Sequence, residues 1–498
     1  MQDYFILTQA VLAYIESHID EEIEPEDLER RMCVSYSHLR DLFKKKTNVP
    51  LGRYIVNRRI ANAAYDLVHT KKSATEIALS KGFKNPDTFT RSFRRVTGYT
   101  PSEFRTQRVR VGRTRITNAI YGPGIQINTV AIPSINQEDF EMEKIQKKES
   151  DACVLYGVHK VYYRYEEITP FPACLRSVLN YLGQDIDYCY LMAATGAAFR
   201  QRWNTTIWDG GNVDIRVIYE DPDEAFRKAF VAAGRSFSMV RRDDSSKEDF
   251  ISVIRNEIDA GRPVIALGII GPPEACIITG YRNRGNTLLG WNFFQEMPEF
   301  SEPVTIDECG YFSIDDWWEN PSTSMLMTVG EKESSRIETK DLLQNALYVL
   351  TTEKIGDYAG GPAAFHLWAE KLLFPSTFSE SLPMPEKFEQ LMCHSDSIDM
   401  LTEGRAYAHF YFQYLAGVFR SQDEPDKARL AEAASEQFNR SFEIGREIGA
   451  IHNGSHDESG IRILSDISNR RRAADLITKA ANSDAASAAI ISELLTLF

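Results

Sequence analysis

A multidomain chain is predicted, with an all-α duplicated helix–turn–helix first, an α+β domain in the middle and an all-α helical domain at the end. Three observations carry this. The stretch LRDLFKKKTNVPLGRY (39–54) aligns without a gap to FTRSFRRVTGYTPSEF (89–104), fifty residues later. From about Ala152 to Glu331 short β-like runs alternate with helical stretches, the pattern of an α+β fold. Beyond GEKESSRIETK helical periodicity runs to the last residue. At 498 residues the chain is also too long for one hydrophobic core.

The first element is the amphipathic start MQDYFILTQAVLAYIESHIDEE, which lacks the positive region of a signal peptide. PEDLERRM then reads as a short helix, Cys33-Val34 as a turn and SYSHLRDLFKKK as a second helix. The second copy repeats the order: SATEIALSKGF gives a helix with a turn at Gly82, and NPDTFTRSFRR follows. Leu28, Met32, Leu39 and Phe43, like Ile77, Ala78, Phe83, Phe89 and Phe93, recur at core-facing helical spacing. Between the copies, PLGRYIVNRRIANAAYDLVHT carries Pro near its first turn and a stripe through Tyr54, Ile60, Ala64 and Leu67, so one connecting helix is expected.

Charge is divided sharply along the chain. Net charge is −14, yet residues 30–115 hold 21 Lys and Arg against five acids, a local +16. Residues 1–29 hold nine acids and no Lys or Arg, and everything after 115 sums to −21. A basic block of this size is a footprint for phosphate.

Two helix–turn–helix units joined by a helix resemble the AraC/XylS family of transcription regulators, and FRRVTGYTPSEFR (93–105) is similar to that family's signature at Gly98, Pro101, Phe104 and Arg105. The resemblance covers roughly residues 4–107, within a DNA-binding domain expected over 1–107, and implies that the second helix of each unit enters a major groove of double-stranded promoter DNA. It puts Ser37, Arg40 and Asp41 on the bases from the first unit, and Asp87, Thr88 and Arg91 from the second. Arg40 and Arg91 suit bidentate contact with guanine, because the guanidinium fork matches O6 and N7. Lys44, Lys45, Arg94 and Arg95 come later on the same helices, where phosphate contact is expected. Asp41 and Asp87 fit either acceptance from cytosine N4 or local capping.

Residues 108–150 read as a linker, with basic, turn-rich and charged stretches in succession and room for a short strand or two. In the domain expected over 151–333 the β-like runs are ACVLYGV, DIRVIYE, PVIALGII, ACIITGYR, TLLGWN and SMLMTVGE, with the helix FPACLRSVLNYLG between the first two.

TPFPACLRSVLNYLG followed by GRPVIALGIIGPPEACIITGYRNRGNTLLGWN resembles the papain-like fold of peptidases that trim double-glycine leaders, and of BtrH-like acyltransferases of butirosin biosynthesis. Counted onto this chain, the nucleophile position of those families is Pro170, the base position Glu274 and the third position Asn292. No thiolate–imidazole pair remains, so no catalytic residue is assigned and no enzyme is expected. Cys174, one turn further on, belongs on the buried face with Leu175, Val178 and Leu179. Trp208, Asp209, Glu274, Tyr281, Trp291 and Asn292 mix aromatic and polar groups, as a ligand-binding site does, against the plainer reading that strand aromatics are core.

Residues 334–498 are expected to be all-helical: KDLLQNALYVLT, PAAFHLWAEKLL with Ala364, Trp368 and Leu372 inward, GRAYAHFYFQYLAGVF, EPDKARLAEAASEQFNRSFEIGREI and RRRAADLITKAANSDAASAAIISELLTLF. Arg470-Arg471-Arg472 reads as a solvated face. Seven cysteines without a C-x-x-C pair fit reduced thiols in a cytoplasmic protein with no metal site, and no cofactor is expected. Together these readings predict a regulator, an activator in the commoner family role, governed by a small molecule or peptide. The implied partners are promoter DNA, RNA polymerase and a second copy of the chain, with no membrane contact. The alternative is a cysteine peptidase or acyltransferase fused to a DNA-binding module.

Overall fold

The computed structural model describes residues 15, 23–32, 34–47, 50–69, 72–97, 100–102, 144–163, 167–295, 300, 304–307, 309–333, 337–454 and 458–498. The chain divides into two units, Met1–Glu141 and Met142–Phe498.

The first unit contains helices α1 (Pro25–Met32), α2 (Tyr36–Thr47), α3 (Leu51–His69), α4 (Ala74–Ser80) and α5 (Pro86–Thr97). Two small cores hold it. Leu28, Leu39, Phe43, Leu51 and Tyr54 close the first with Ile15. Ile60, Ala63, Leu67, Ile77, Ala78, Phe83, Phe89 and Phe93 close the second. The connecting helix α3 feeds both, Leu51 and Tyr54 at one end and Ile60 to Leu67 at the other. The fifty-residue repeat is therefore a repeat of packing, since Leu39 and Phe43 are buried as Phe89 and Phe93 are. The helix expected over 1–22 lies outside the described residues except at Ile15. Cys33, Gly98, Phe104, Arg105, the linker 108–143 and the side chains of Met32 and Ala64 also lie outside them.

The second unit begins earlier than residue 151. Ile145–Lys148 forms strand β1, paired antiparallel with β2 (Cys153–Tyr156) across a tight turn. The end of the expected linker is thus sheet edge, its exposed IQKK concealing the pairing. Helices α6 (Pro170–Tyr181) and α7 (Tyr188–Ala194), strand β3 (Arg202–Asn204), helix α8 (Glu224–Ala233), β4 (Arg235–Arg241) and α9 (Lys247–Asp259) follow. Then come β5 (Val264–Leu267), β6 (Ala275–Arg282), β7 (Thr287–Trp291), β8 (Thr305–Ile306), β9 (Phe312–Ile314) and β10 (Met325–Lys332). The main sheet runs β4-β10-β5-β6-β7-β9-β8, all antiparallel, with β2 beside the far half of β6. Five expected β-like runs are strands here. The sixth, DIRVIYE, is not: Asp214 accepts from the Arg216 amide at 2.8 Å and turns the segment into a 3-10 helix at Ile215–Val217.

The remainder is helical: α10 (Thr339–Thr351), the hairpin β11 (Lys354–Ile355) and β12 (Tyr358–Gly360), α11 (Gly361–Leu373), α12 (Met384–Ser421), α13 (Pro425–Ile451), α14 (Glu458–Ser465) and α15 (Ile467–Leu495). Ala364, Trp368 and Leu372 are fully buried, as their spacing predicts. This part is not a separate body. β12 pairs with β3, and Arg405 of α12, wholly buried, donates to Asp484 on α15 and to the carbonyls of Ala198 and Arg200. Arg470 corrects the reading of the arginine run. It is 6% exposed and donates to the carbonyls of Leu372 and Phe374 at the end of α11, while Arg471 and Arg472 are exposed.

Candidate nucleic-acid interface and interior cleft

In the first unit, local chemistry fixes each second helix. The Ser35 hydroxyl accepts from the His38 amide at 3.4 Å, and Glu29 of α1 accepts from the Tyr36 amide at 2.7 Å, so α2 is capped and tied back. In the second helix–turn–helix Ser73 and Glu76 form a reciprocal capping box at the start of α4. The turn after α4 passes through Gly82 at φ +69°, a left-handed conformation that suits glycine. Arg59 of α3 donates to the Gly82 carbonyl at 3.0 Å, linking that turn to the connecting helix. Asn85 accepts from the Asp87 amide at 2.7 Å, so the cap of α5 is Asn85 and the Asp87 carboxylate is left on the outer face.

Ser37, Arg40, Asp41 and Lys44 are all exposed and stand at i, i+3, i+4 and i+7 on α2, opposite buried Leu39 and Phe43. Asp87, Thr88, Arg91, Arg94 and Arg95 are exposed on the matching face of α5, opposite Phe89 and Phe93. Nine of the ten expected DNA contacts thus share two faces. The side chain of the tenth, Lys45, lies outside the described residues. The fifty-residue offset places Asp41 where the second helix–turn–helix has Arg91. The two faces carry opposite charge at one equivalent position.

In the second unit a narrow cleft with a cavity volume of about 10 Å³, room for about one water, is lined by Thr169, Pro170, Asp214, Arg216, Pro273 and Glu274 among others. The two sequence positions that match the nucleophile and base of the papain-like families therefore meet. Pro170 opens α6 and Glu274 immediately precedes β6. The Glu274 carboxyl is pushed up to about 7, by burial first and then by Asp214, with Arg200 and Arg216 opposing. Asp214 itself pairs with Arg216 at 2.6 Å.

The other five expected ligand residues do not line this cleft. Tyr281 sits at the far end of β6 and donates to Asp259 at 2.7 Å. Tyr281 lies seven residue steps beyond Glu274, roughly 23 Å along the strand. Trp291 donates to the Val158 carbonyl at 2.8 Å and packs edge-on against Tyr311. Asn292 is turned into its own loop, accepting from the Phe294 amide at 2.7 Å. Trp208 packs on Trp203, and Asp209 accepts from Tyr358 at 2.5 Å and from Asn204 at 3.2 Å. Cys174 is fully buried with Leu175, Val178 and Leu179, and burial, Cys276 and Glu274 hold its thiol well above the usual range.

Acidic residues that sequence reading passed over lie on α12. Asp396, Asp399 and Glu403 occupy i, i+3 and i+7 on one face of α12. Glu403 accepts from the amides of Ile168 and Thr169, and from the hydroxyls of Thr169 and Tyr188. Asp396 lies beside the turn at Gly210, where an added Cβ would stand 3.9 Å from its Oδ2. Its carboxyl is pushed up to about 7 by burial, then by Asp399 and Glu274. Asp399 is likewise pushed up to about 7, by burial and then Glu403. The acidic i, i+3, i+7 spacing is visible in HSDSIDMLTE and is the signal that marks this face.

Comparison with known proteins bears on the first unit. A family model described as a helix-turn-helix domain matches residues 28–107. YkgA of Escherichia coli strain K12 is 35% identical over 99 residues, 20% of this chain and 41% of YkgA. The transposon Tn10 TetD protein of Escherichia coli is 36% identical over 99 residues, 20% of this chain and 72% of TetD. Regulatory protein SoxS of Escherichia coli strain K12 is 33% identical over 99 residues, 20% of this chain and 92% of SoxS. The chain thus spans about two fifths of the length of YkgA but nearly all of SoxS. With two capped reading helices on one connecting helix, this defines a sequence-specific DNA-binding domain of the helix–turn–helix class. The chain belongs to the AraC family of transcription regulators. Among the described residues, no helix is long and apolar enough to cross a membrane.

Proposed function

We propose that this chain is a cytoplasmic one-component regulator, in which the first unit reads promoter DNA and the second senses a small molecule or peptide in a papain-like domain without hydrolytic or acyl-transfer activity. One observation carries the sensor half: Pro170 and Glu274 face one cleft, where a proline offers no nucleophile and a carboxylate offers no imidazole. Cys174 points into the core on the same helix, with its thiol held protonated by burial. The antiparallel sheet with α6 against it fits the papain-like resemblance; β6 carries its GYR stretch and β7 its Gly290 and Trp291. A ligand changes output by binding two states of the protein unequally. Activation through RNA polymerase and a homodimeric state complete this reading.

The test is promoter occupancy by the full chain with and without fractionated cell metabolites and peptides. A fraction that shifts occupancy by the full chain, and not by Glu274→Gln, is the expected result. Occupancy indifferent to every fraction, or rapid iodoacetamide labelling of Cys174 at neutral pH in the folded protein, overturns the proposal.

A further inference from the structure

The two reading helices align residue for residue, and one position of the first stands out. At the fifty-residue offset His38 of α2 matches Thr88 of α5. Thr88 belongs to the base-reading set that the family resemblance implies, whereas in the first helix that set passes from Ser37 to Arg40. Both His38 and Thr88 are exposed.

Helical pitch places the side chains around α2. Leu39 and Phe43 are buried and mark its inward direction, as Phe89 and Phe93 do on α5. At about 100° per residue, Asp41 lies opposite the mean direction of Leu39 and Phe43. Ser37 and His38 then stand roughly 40° and 60° to either side of Asp41, and Arg40 about 100° away. His38 is therefore nearer the centre of the outward face than Arg40 is. It is also the third residue of α2, and the N-terminal residues of the second helix in this motif are those that meet base edges in the major groove. The His38 backbone amide donates to the Ser35 hydroxyl at 3.4 Å, so the cap of α2 does not depend on the imidazole.

We infer that His38 is a base-reading residue of the first helix–turn–helix, and that its imidazole N–H donates to guanine at a base pair next to the one facing Asp41. This rests on the DNA-reading assignment of the first unit and adds one residue and one base to it. Guanine suits an imidazole because its major-groove edge carries two acceptors, O6 and N7, and no donor. Neutral or protonated, a histidine has at least one N–H to give. At the matching position Thr88 offers a methyl group, which packs on the C5-methyl of thymine. The two half-sites therefore differ at this base as well as at the one facing Asp41 or Arg91.

The experiment is selection by the full chain from duplexes with a randomised core of about 20 base pairs, two helical turns. Wild type, His38→Thr and His38→Gln are run in parallel and the selected duplexes sequenced. Wild type is expected to enrich guanine about tenfold over the other bases at one position of the first half-site. His38→Thr should move that single position toward thymine, and His38→Gln toward adenine, the base a glutamine amide matches. Positions read from α5 should stay as in wild type, which also reports that each variant is folded. Motifs identical to wild type in both variants overturn the inference, as does a base other than guanine at the position that responds. An even weakening of every sequence, the mark of a lost phosphate contact, overturns it too. Loss of all enrichment in both variants assigns His38 a structural part and has the same effect. Absence of any enriched motif with wild type instead removes the DNA-reading assignment itself.

Discussion

Glu403 and Thr169 join the helical part of the second unit to the helix that opens the cleft: Glu403 Oε2 accepts from the Thr169 hydroxyl at 2.6 Å, and its Oε1 from the Thr169 amide at 3.1 Å. Ile168 and Tyr188 donate to the same carboxylate at 2.6 Å each. Thr169 makes no side-chain cap to α6, so its hydroxyl is free to serve Glu403.

Replacing Glu403 by Ala strands those four donors in a buried place. A loss of about 3–5 kcal/mol in the stability of the second unit is expected, as for one partner removed from a buried charge cluster. Urea denaturation followed by tryptophan fluorescence measures it, since all six Trp residues lie after residue 200. DNA affinity of the isolated first unit has no dependence on this change.

On the DNA side, Arg91→Ala should cost about 1–3 kcal/mol at one base pair and relax preference there. Lys44→Ala should weaken all sequences evenly and reduce the slope of log affinity against log salt by about 0.9. Because Asp41 stands where the second helix–turn–helix has Arg91, the two half-sites should differ in sequence at the equivalent base. Competition binding with a site whose halves are made identical checks this, and equal affinity for it would refute the assignment.

The pH dependence of stability follows from three carboxyls pushed up to about 7. Between about pH 4 and pH 7 the folded protein keeps protons on Glu274, Asp396 and Asp399 that the unfolded chain has released. Their contribution therefore weakens the fold as pH rises through that window, by about 1.4 kcal/mol per unit of displacement for an isolated group. Thermal melts of wild type should fall relative to those of Asp396→Asn, Asp399→Asn from pH 5 to pH 8, the gap reaching a few kcal/mol. Parallel melting curves across that range would contradict these displacements.

The arginines of the helical part separate by burial. Arg405→Ala leaves Asp484 buried with its cation gone and should cost about 3–5 kcal/mol. Arg470→Ala exposes the Leu372 and Phe374 carbonyls to no donor and should cost about 1–3 kcal/mol. Arg471→Ala, one residue on, should stay within about 0.5 kcal/mol. Chemical denaturation of the three variants ranks them.

How much of this is legible in the sequence depends on whether a residue's surroundings agree with its type. The duplicated helices are legible because Phe43 and Phe93 are apolar where they are buried and Arg91 is charged where it is exposed. β6 and β7 are legible because every expected core residue in them is apolar. The first half of α12 is not, since Gln390, His394, Ser395, Ser397 and Glu403, which by type belong to solvent, are buried there among its apolar residues. Arg470 misleads for the same reason, because its partners are carbonyls a hundred residues away. Tyr281 and Trp291 misjudge the site differently: their strands are placed correctly, but distance along β6 and pairing across the sheet cannot be counted from spacing alone.

The two prolines at the start of α6 carry a consequence for protein engineering. Pro170 and Pro172 have no amide hydrogen, and the amides of Ile168 and Thr169 are already engaged by Glu403. Converting Pro170 to Cys and Glu274 to His would restore two side chains, yet the backbone donors that steady a developing oxyanion would still be largely missing. Either substitution taken alone restores no thiolate–imidazole pair, so a selection for single mutants has no first step to reward.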